Sequence, residues 1–170
     1  MLIILFLLML LISYKECKKE DCNICLFFIF LLLSILFYIS GNHLIFVLFP
    51  LLLSQCLIDF KKLELSNINS LCIFIFGIFY MWNNFNVKAI ITISIFYIIL
   101  YVMPFSNLGF GDVKLAIALS IFLKLSQVPS FIFYTLLISL IIGIIYKIKT
   151  KESIFPMGPA IIITFILLNI

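Results

Sequence analysis

Apolar runs alternate with short polar clusters along the whole chain. The runs fall at about 1–13, 26–40, 43–59, 68–82, 87–105, 112–126, 129–148 and 156–170. Each reads as a helix, and together they predict about eight membrane spans. Several runs are shorter than the roughly 20 residues that cross a bilayer. Flanking Trp, Tyr, Asn and Lys extend such runs through the interface, or the bilayer thins locally. Six or seven spans are the rival counts. The separation of 26–40 from 43–59 depends on a tight turn at SGNH, residues 40–43. No polar linker or soluble insert of any length interrupts the pattern. The expected fold is therefore all-α, a polytopic transmembrane helix bundle in a single domain over residues 1–170.

Composition sharpens this. The apolar share is 66% and the charged share 11%, against about a quarter charged in an ordinary soluble domain. Mean hydropathy is +1.38. The net charge of +4 comes from 11 lysines with no arginine. It marks membrane orientation rather than nucleic-acid binding. Lys15, Lys18, Lys19, Lys61, Lys62, Lys114, Lys147, Lys149 and Lys151 fall on one side of the eight-span arrangement, and only Lys88 and Lys124 on the other. Nine against two puts the first side in the cytoplasm. The first run has no basic stretch before it and no small-residue cleavage site after it, so it reads as a retained span with its N-terminus outside. His43 and Trp82 read as interfacial residues.

Little in such a chain can carry chemistry. There are three aspartates. Asp21 lies among lysines and reads as solvated. Asp59 ends the third run and Asp112 opens the sixth, so both are expected at the cytoplasmic edge of the membrane. Ionisable residues at that depth face the bundle interior and are functional candidates by default. Two carboxylates that meet cannot both stay charged. One proton is then shared, so one acts as base and the other as acid. The plainer reading of each alone is a helix cap or a dipole partner. An ion- or proton-coupled carrier is the rival function, although carriers place such acids nearer the midplane on broken helices. Gly109 and Gly111 allow positive φ and the close approach of another chain, which would suit an extended substrate. The single histidine, His43, is expected on the opposite side, and no HExxH or serine–histidine pair is present.

The segment Gly109-Phe110-Gly111-Asp112-Val113-Lys114 resembles the GxGDxK motif of the type IV prepilin peptidases, which are GxGD-type intramembrane aspartic proteases. Asp59-Phe60-Lys61 with Leu65-Ser66-Asn67 is similar to that family's first aspartate segment. Phe155-Pro156-Met157-Gly158-Pro159 is similar to the opening of its last helix. The resemblance covers about residues 45–165. It implies an aspartic endopeptidase of the prokaryotic cytoplasmic membrane that removes basic leaders from type IV prepilins or pseudopilins, with Asp59 and Asp112 catalytic and Gly109, Gly111 and Lys114 supporting. An inactive or assembly-only relative is the other alternative. Ser66 replaces the family's usual proline, which is expected to loosen the turn there. Lys114 reads as an anchor that snorkels to the headgroups. Its position two residues past Asp112 turns it about 200° away along a helix. Pro156 and Pro159 read as helix-start residues.

Many family members carry a large methyltransferase domain with two CxxC pairs after the first helix. Here only a short cytoplasmic loop, residues 14–25, stands in its place. Cys17, Cys22 and Cys25 are too few for a four-ligand zinc site and read as loop thiols or a remnant. With Cys56 and Cys72, the five cysteines form no disulfide framework. No methyltransferase activity and no cofactor are expected. The expected partners are leader peptides and the lipid bilayer.

Overall fold

The computed structural model of the chain describes residues 2–84, 86–103, 108–151 and 154–170, with backbone alone at 25, 26, 29 and 30. The described residues form eight α-helices and no strand. These are α1 (Leu2–Lys19), α2 (Ile24–Ile39), α3 (His43–Lys62), α4 (Asn67–Tyr80), α5 (Val87–Val102), α6 (Phe110–Ser120), α7 (Val128–Thr150) and α8 (Gly158–Asn169). A short 3₁₀ helix, Leu125–Gln127, leads into α7.

The turn at 40–43 forms as the polar cluster there predicts. Gly41 sits at φ +80°, a conformation open to glycine without strain. Asn42 then caps α3, its side chain accepting from the Ile45 N–H at 3.3 Å. The tip of this turn is tied to the far end of the chain, because the Asn42 amide donates to the Asn169 carbonyl.

Helices α3, α6 and α8 form the interior, and α3 packs on α1, α2, α4 and α8. Among the described residues, two helical stretches are long and apolar enough to cross a membrane: α3, and Leu125–Thr150, which includes α7. Their burial differs sharply, at 67% for α3 and 22% for the other. Helix α3 is thus a central element, while α7 presents most of its apolar surface outward. At Gly77, helix α4 packs closely against the turn that follows α6. A Cβ there would lie 3.0 Å from both Ile121 and Phe122 side-chain atoms.

Two boundaries differ from the hydropathy pattern. The run at 112–126 is helical only over 110–120. The Ser120 hydroxyl folds back onto the Ile117 carbonyl at 2.7 Å. Beyond it, the Phe122 and Leu123 N–H groups tighten into i→i−3 bonds. Ile121, Phe122 and Leu123 stay buried, so the run is apolar because it is enclosed, whether or not it is helical. Eleven residues of helix extend only about 16 Å. The second difference is α1, which continues through Lys19. Most of the loop expected at 14–25 is therefore helix, and the connection narrows to residues 20–23.

Candidate active site

Asp59 lies in the last turn of α3. The helix stops at Leu63, whose N–H donates to the Asp59 carbonyl at 2.9 Å with φ 57°. A left-handed leucine costs roughly 1–2 kcal/mol relative to glycine there, so the surrounding packing must hold it. The chain then runs through Glu64 and Leu65 into α4. At the start of α8, the Gly158 N–H donates to Asp59 Oδ2 at 2.8 Å. The first amides of a helix lack internal partners and carry its positive end, so this carboxylate completes the start of α8.

Asp112 stands in the first turn of α6. Its Oδ2 accepts from the Gly109 N–H at 3.2 Å. This is half of a capping box, because glycine has no side chain to return the bond. Its Oδ1 is buried and without a partner among the described residues. Asp59 is 3% exposed and Asp112 8%, which is deep for carboxyl groups.

Both carboxylates line one cleft of about 310 Å³, with Leu63, Glu64, Leu65, Asn67 and the 109–111 segment around them. Two residues 53 positions apart in sequence thus face a shared space, each with one oxygen tied to a glycine amide. Asp112 Oδ1 keeps its acceptor capacity unused among the described residues.

The glycines act differently from the expectation. Among glycines of the described residues, positive φ occurs at Gly41, and Gly109 sits at φ −74°. The space beside Gly111 is filled by this chain's own Leu65, whose Cβ would lie 3.0 Å from an added Cβ. Leu65 also reaches Gly158, where an added Cβ would meet its Cδ2 at 2.9 Å and Asp59 Oδ2 at 2.7 Å. One leucine is wedged between the two backbone segments that orient the acids.

Ser66 also departs from expectation. Rather than loosening the turn, it fastens it. Its hydroxyl donates to Glu16 Oε2 at 2.6 Å and caps α4 by accepting from the Asn69 N–H. Gln55, one turn before Asp59 on α3, brackets the Ser66 backbone. It accepts from the Ser66 N–H at 2.8 Å and donates to the Ser66 carbonyl at 2.9 Å. Its amide also donates to Ser70 Oγ at 2.8 Å. Glu16, Gln55, Ser66, Asn69 and Ser70 are all buried. Sequence reading missed Glu16, Gln55, Leu65 and Gly158 as site residues. For Gln55 a signal was present: its i, i+4 relation to Asp59 puts both on one helix face.

Lys114 lines the same cleft as Asp112. Its ammonium donates to Asn67 Oδ1 at 2.9 Å and lies 4.7 Å over the Phe110 ring. Pro159 lies in the first turn of α8 and Pro156 just before that helix. His43 opens α3, and Trp82 is exposed just after α4.

Cys17, near the end of α1, and Cys22, in the α1–α2 connection, are buried free thiols, and the side chain of Cys25 lies outside the described residues. Burial pushes the Cys22 thiol above its ordinary value. Lys61 donates to the Glu20 and Asp21 carbonyls, and Lys62 pairs with the Glu20 carboxylate. That hydrogen bond holds the Glu20 carboxyl below the usual range.

Residues 46–148, from the first turn of α3 into the last turns of α7, match the type IV leader peptidase family. No curated protein and no solved structure matches the chain. The matched stretch covers more than half of the sequence and carries both aspartates, while the amide that orients Asp59 comes from beyond it in α8. The chain belongs to the type IV leader peptidase family.

Proposed function

We propose that the protein is a multi-pass membrane aspartic endopeptidase that removes leaders from type IV prepilins or pseudopilins at the cytoplasmic face. One observation carries this reading. Asp59 and Asp112 line a common cleft, and each is oriented by a backbone N–H from a glycine. One carboxylate, as the anion, takes a proton from water while the water oxygen bonds to the scissile carbonyl carbon. The other, protonated, gives its proton to the carbonyl oxygen. The second acid, now a carboxylate, takes a proton back from a hydroxyl of the tetrahedral adduct as it collapses, the C–N bond breaks, and the departing amine takes the proton held by the first acid. No covalent intermediate is formed.

Lys61, Lys62 and Lys114 flank the acids, which supports a cytoplasmic site. Residues 1–170 act as one peptidase domain, with the brief α1–α2 connection in place of a methyltransferase domain. The test is co-expression with a tagged prepilin, read as a shift on a gel and by mass spectrometry of the new terminus. Processing is expected with the parent chain and absent with Asp59→Asn or Asp112→Asn at equal protein level. Processing by either variant at the parent's rate would remove the reading.

A further inference from the structure

The acid cleft adjoins a second cavity, with which it shares lining residues. This groove, of about 370 Å³, runs between α4 and α6, and Asn67 and Lys114 belong to both spaces. Past those two residues the lining becomes almost wholly apolar, with Leu71, Phe74 and Ile117 as walls and the small Ser70 and Ala118 leaving room between them. The surface thus changes from polar to apolar across one hydrogen bond, from Lys114 to Asn67.

We propose that the α4–α6 groove binds the apolar helical segment that follows the scissile bond of the substrate. The proposal rests on the peptidase reading of the acid cleft and adds to it where the substrate's uncleaved part lies. A peptide bond can be attacked only where the chain is extended, because a helix hides its carbonyls in internal bonds. An occupant of both spaces is therefore extended at the acids and can become helical once past Lys114. Inside the groove, apolar side chains at helical spacing satisfy the walls, as in other helix-in-groove complexes. The match of polarity is directional. It seats the apolar part toward α4 and α6 and leaves the leader on the Glu64 side of the cleft, where that carboxylate is exposed.

A larger apolar groove of about 520 Å³ lies on the other side of α4, against α1, around Leu8, Ile75 and Phe79. It shares no residue with the acid cleft. Size alone would favour it, whereas continuity with the acids selects the smaller groove. The two grooves therefore give a built-in control.

The experiment uses the full chain in native membranes, with Asp112→Asn to hold the uncleaved precursor. Photoreactive benzoylphenylalanine replaces either Leu71, in the proposed groove, or Ile75, in the other. Both positions are exposed. The probe is a tagged prepilin carrying its leader and apolar helix. The expected result is an adduct to the precursor from position 71 about tenfold above that from position 75, mapping to the apolar helix. Equal adducts at both positions, or lipid adducts alone at 71, would overturn the proposal. In the active chain, Ile117→Trp fills part of the groove and is expected to raise KM about tenfold with kcat within about twofold. Unchanged KM in a folded variant would also overturn it. Failure of the peptidase reading is separate and shows as processing that survives loss of either aspartate. Dead aspartate variants with a silent groove would count against the groove alone.

Discussion

A single hydrogen atom at position 158 separates an ordered Asp59 from a displaced one. A methyl group there would lie 2.7 Å from Asp59 Oδ2 and 2.9 Å from Leu65, contacts that force one or both to move. Gly158→Ala is therefore expected to lower kcat for leader removal by roughly 10²-fold, the scale of a misplaced catalytic group, while the protein still accumulates in the membrane. Kinetics on a purified precursor measure this, and unchanged kcat would show that the Gly158 contact does not matter. Ser66 gives a stability counterpart. Ser66→Ala removes the donor to the buried Glu16 carboxylate and the cap of α4. A buried acceptor left without its donor costs about 1–3 kcal/mol, so unfolding in mild detergent should begin at lower temperature. Ser66→Thr, which keeps the hydroxyl, should retain most of that stability. Cys22 offers a simpler check. Burial raises its thiol pKa, so alkylation should be slow near neutral pH and speed up as pH rises past the ordinary thiol value of about 8.5.

At the scale of elements, the α1–α2 connection is latched onto the end of α3 through Lys61 and Lys62. Lys62 lowers the pKa of Glu20 in the folded protein. The contribution of that pair is therefore complete above the unfolded value of about 4.3 and is lost as pH falls through the lower folded value. Protease cleavage at residues 20–23 should stay constant from neutral pH down to about 5 and rise only in more acidic buffer. With Glu20→Gln the acid-dependent rise should be absent, and a rise of equal size would contradict the assignment.

Helix positions were legible from hydropathy because each polar cluster carries its own punctuation, as Ser40, Gly41 and Asn42 do at the α2–α3 turn. Helix ends were less legible. Hydropathy reports burial, so Ile121, Phe122 and Leu123 extended the apparent sixth helix although the α-helical hydrogen-bond ladder ends before them. The reverse happened at α1, where lysines and glutamate looked like loop yet continue the helix. The two aspartates could be singled out because acids are so rare here. The clamp built by Glu16, Gln55 and Ser66 could not, since it joins α1, α3 and α4 through contacts that no local pattern encodes.

For the whole molecule, the orientation proposal makes a direct prediction. Reporters fused after Lys62, in the turn between α3 and α4, should read cytoplasmic, and those fused near Asn42 should read external. The opposite pattern would place the acids on the wrong face for cytoplasmic leader removal. The bundle itself explains why the acids come from separate helices. Helix α3 is held at the centre by α1, α2, α4 and α8, and α6 enters between α4 and α8.

The central claim is that Asp59 and Asp112 work as one unit. The measurement that tests it most directly is a double-mutant cycle on kcat/KM for leader removal, using Asp59→Asn, Asp112→Asn and the double variant. Groups that act together lose nearly everything when either is removed. The predicted result is a loss of at least roughly 10³-fold for each single variant, with the double variant no slower than either. Losses that multiply in the double variant, or one single variant that keeps near-parent activity, would contradict a shared two-carboxylate mechanism.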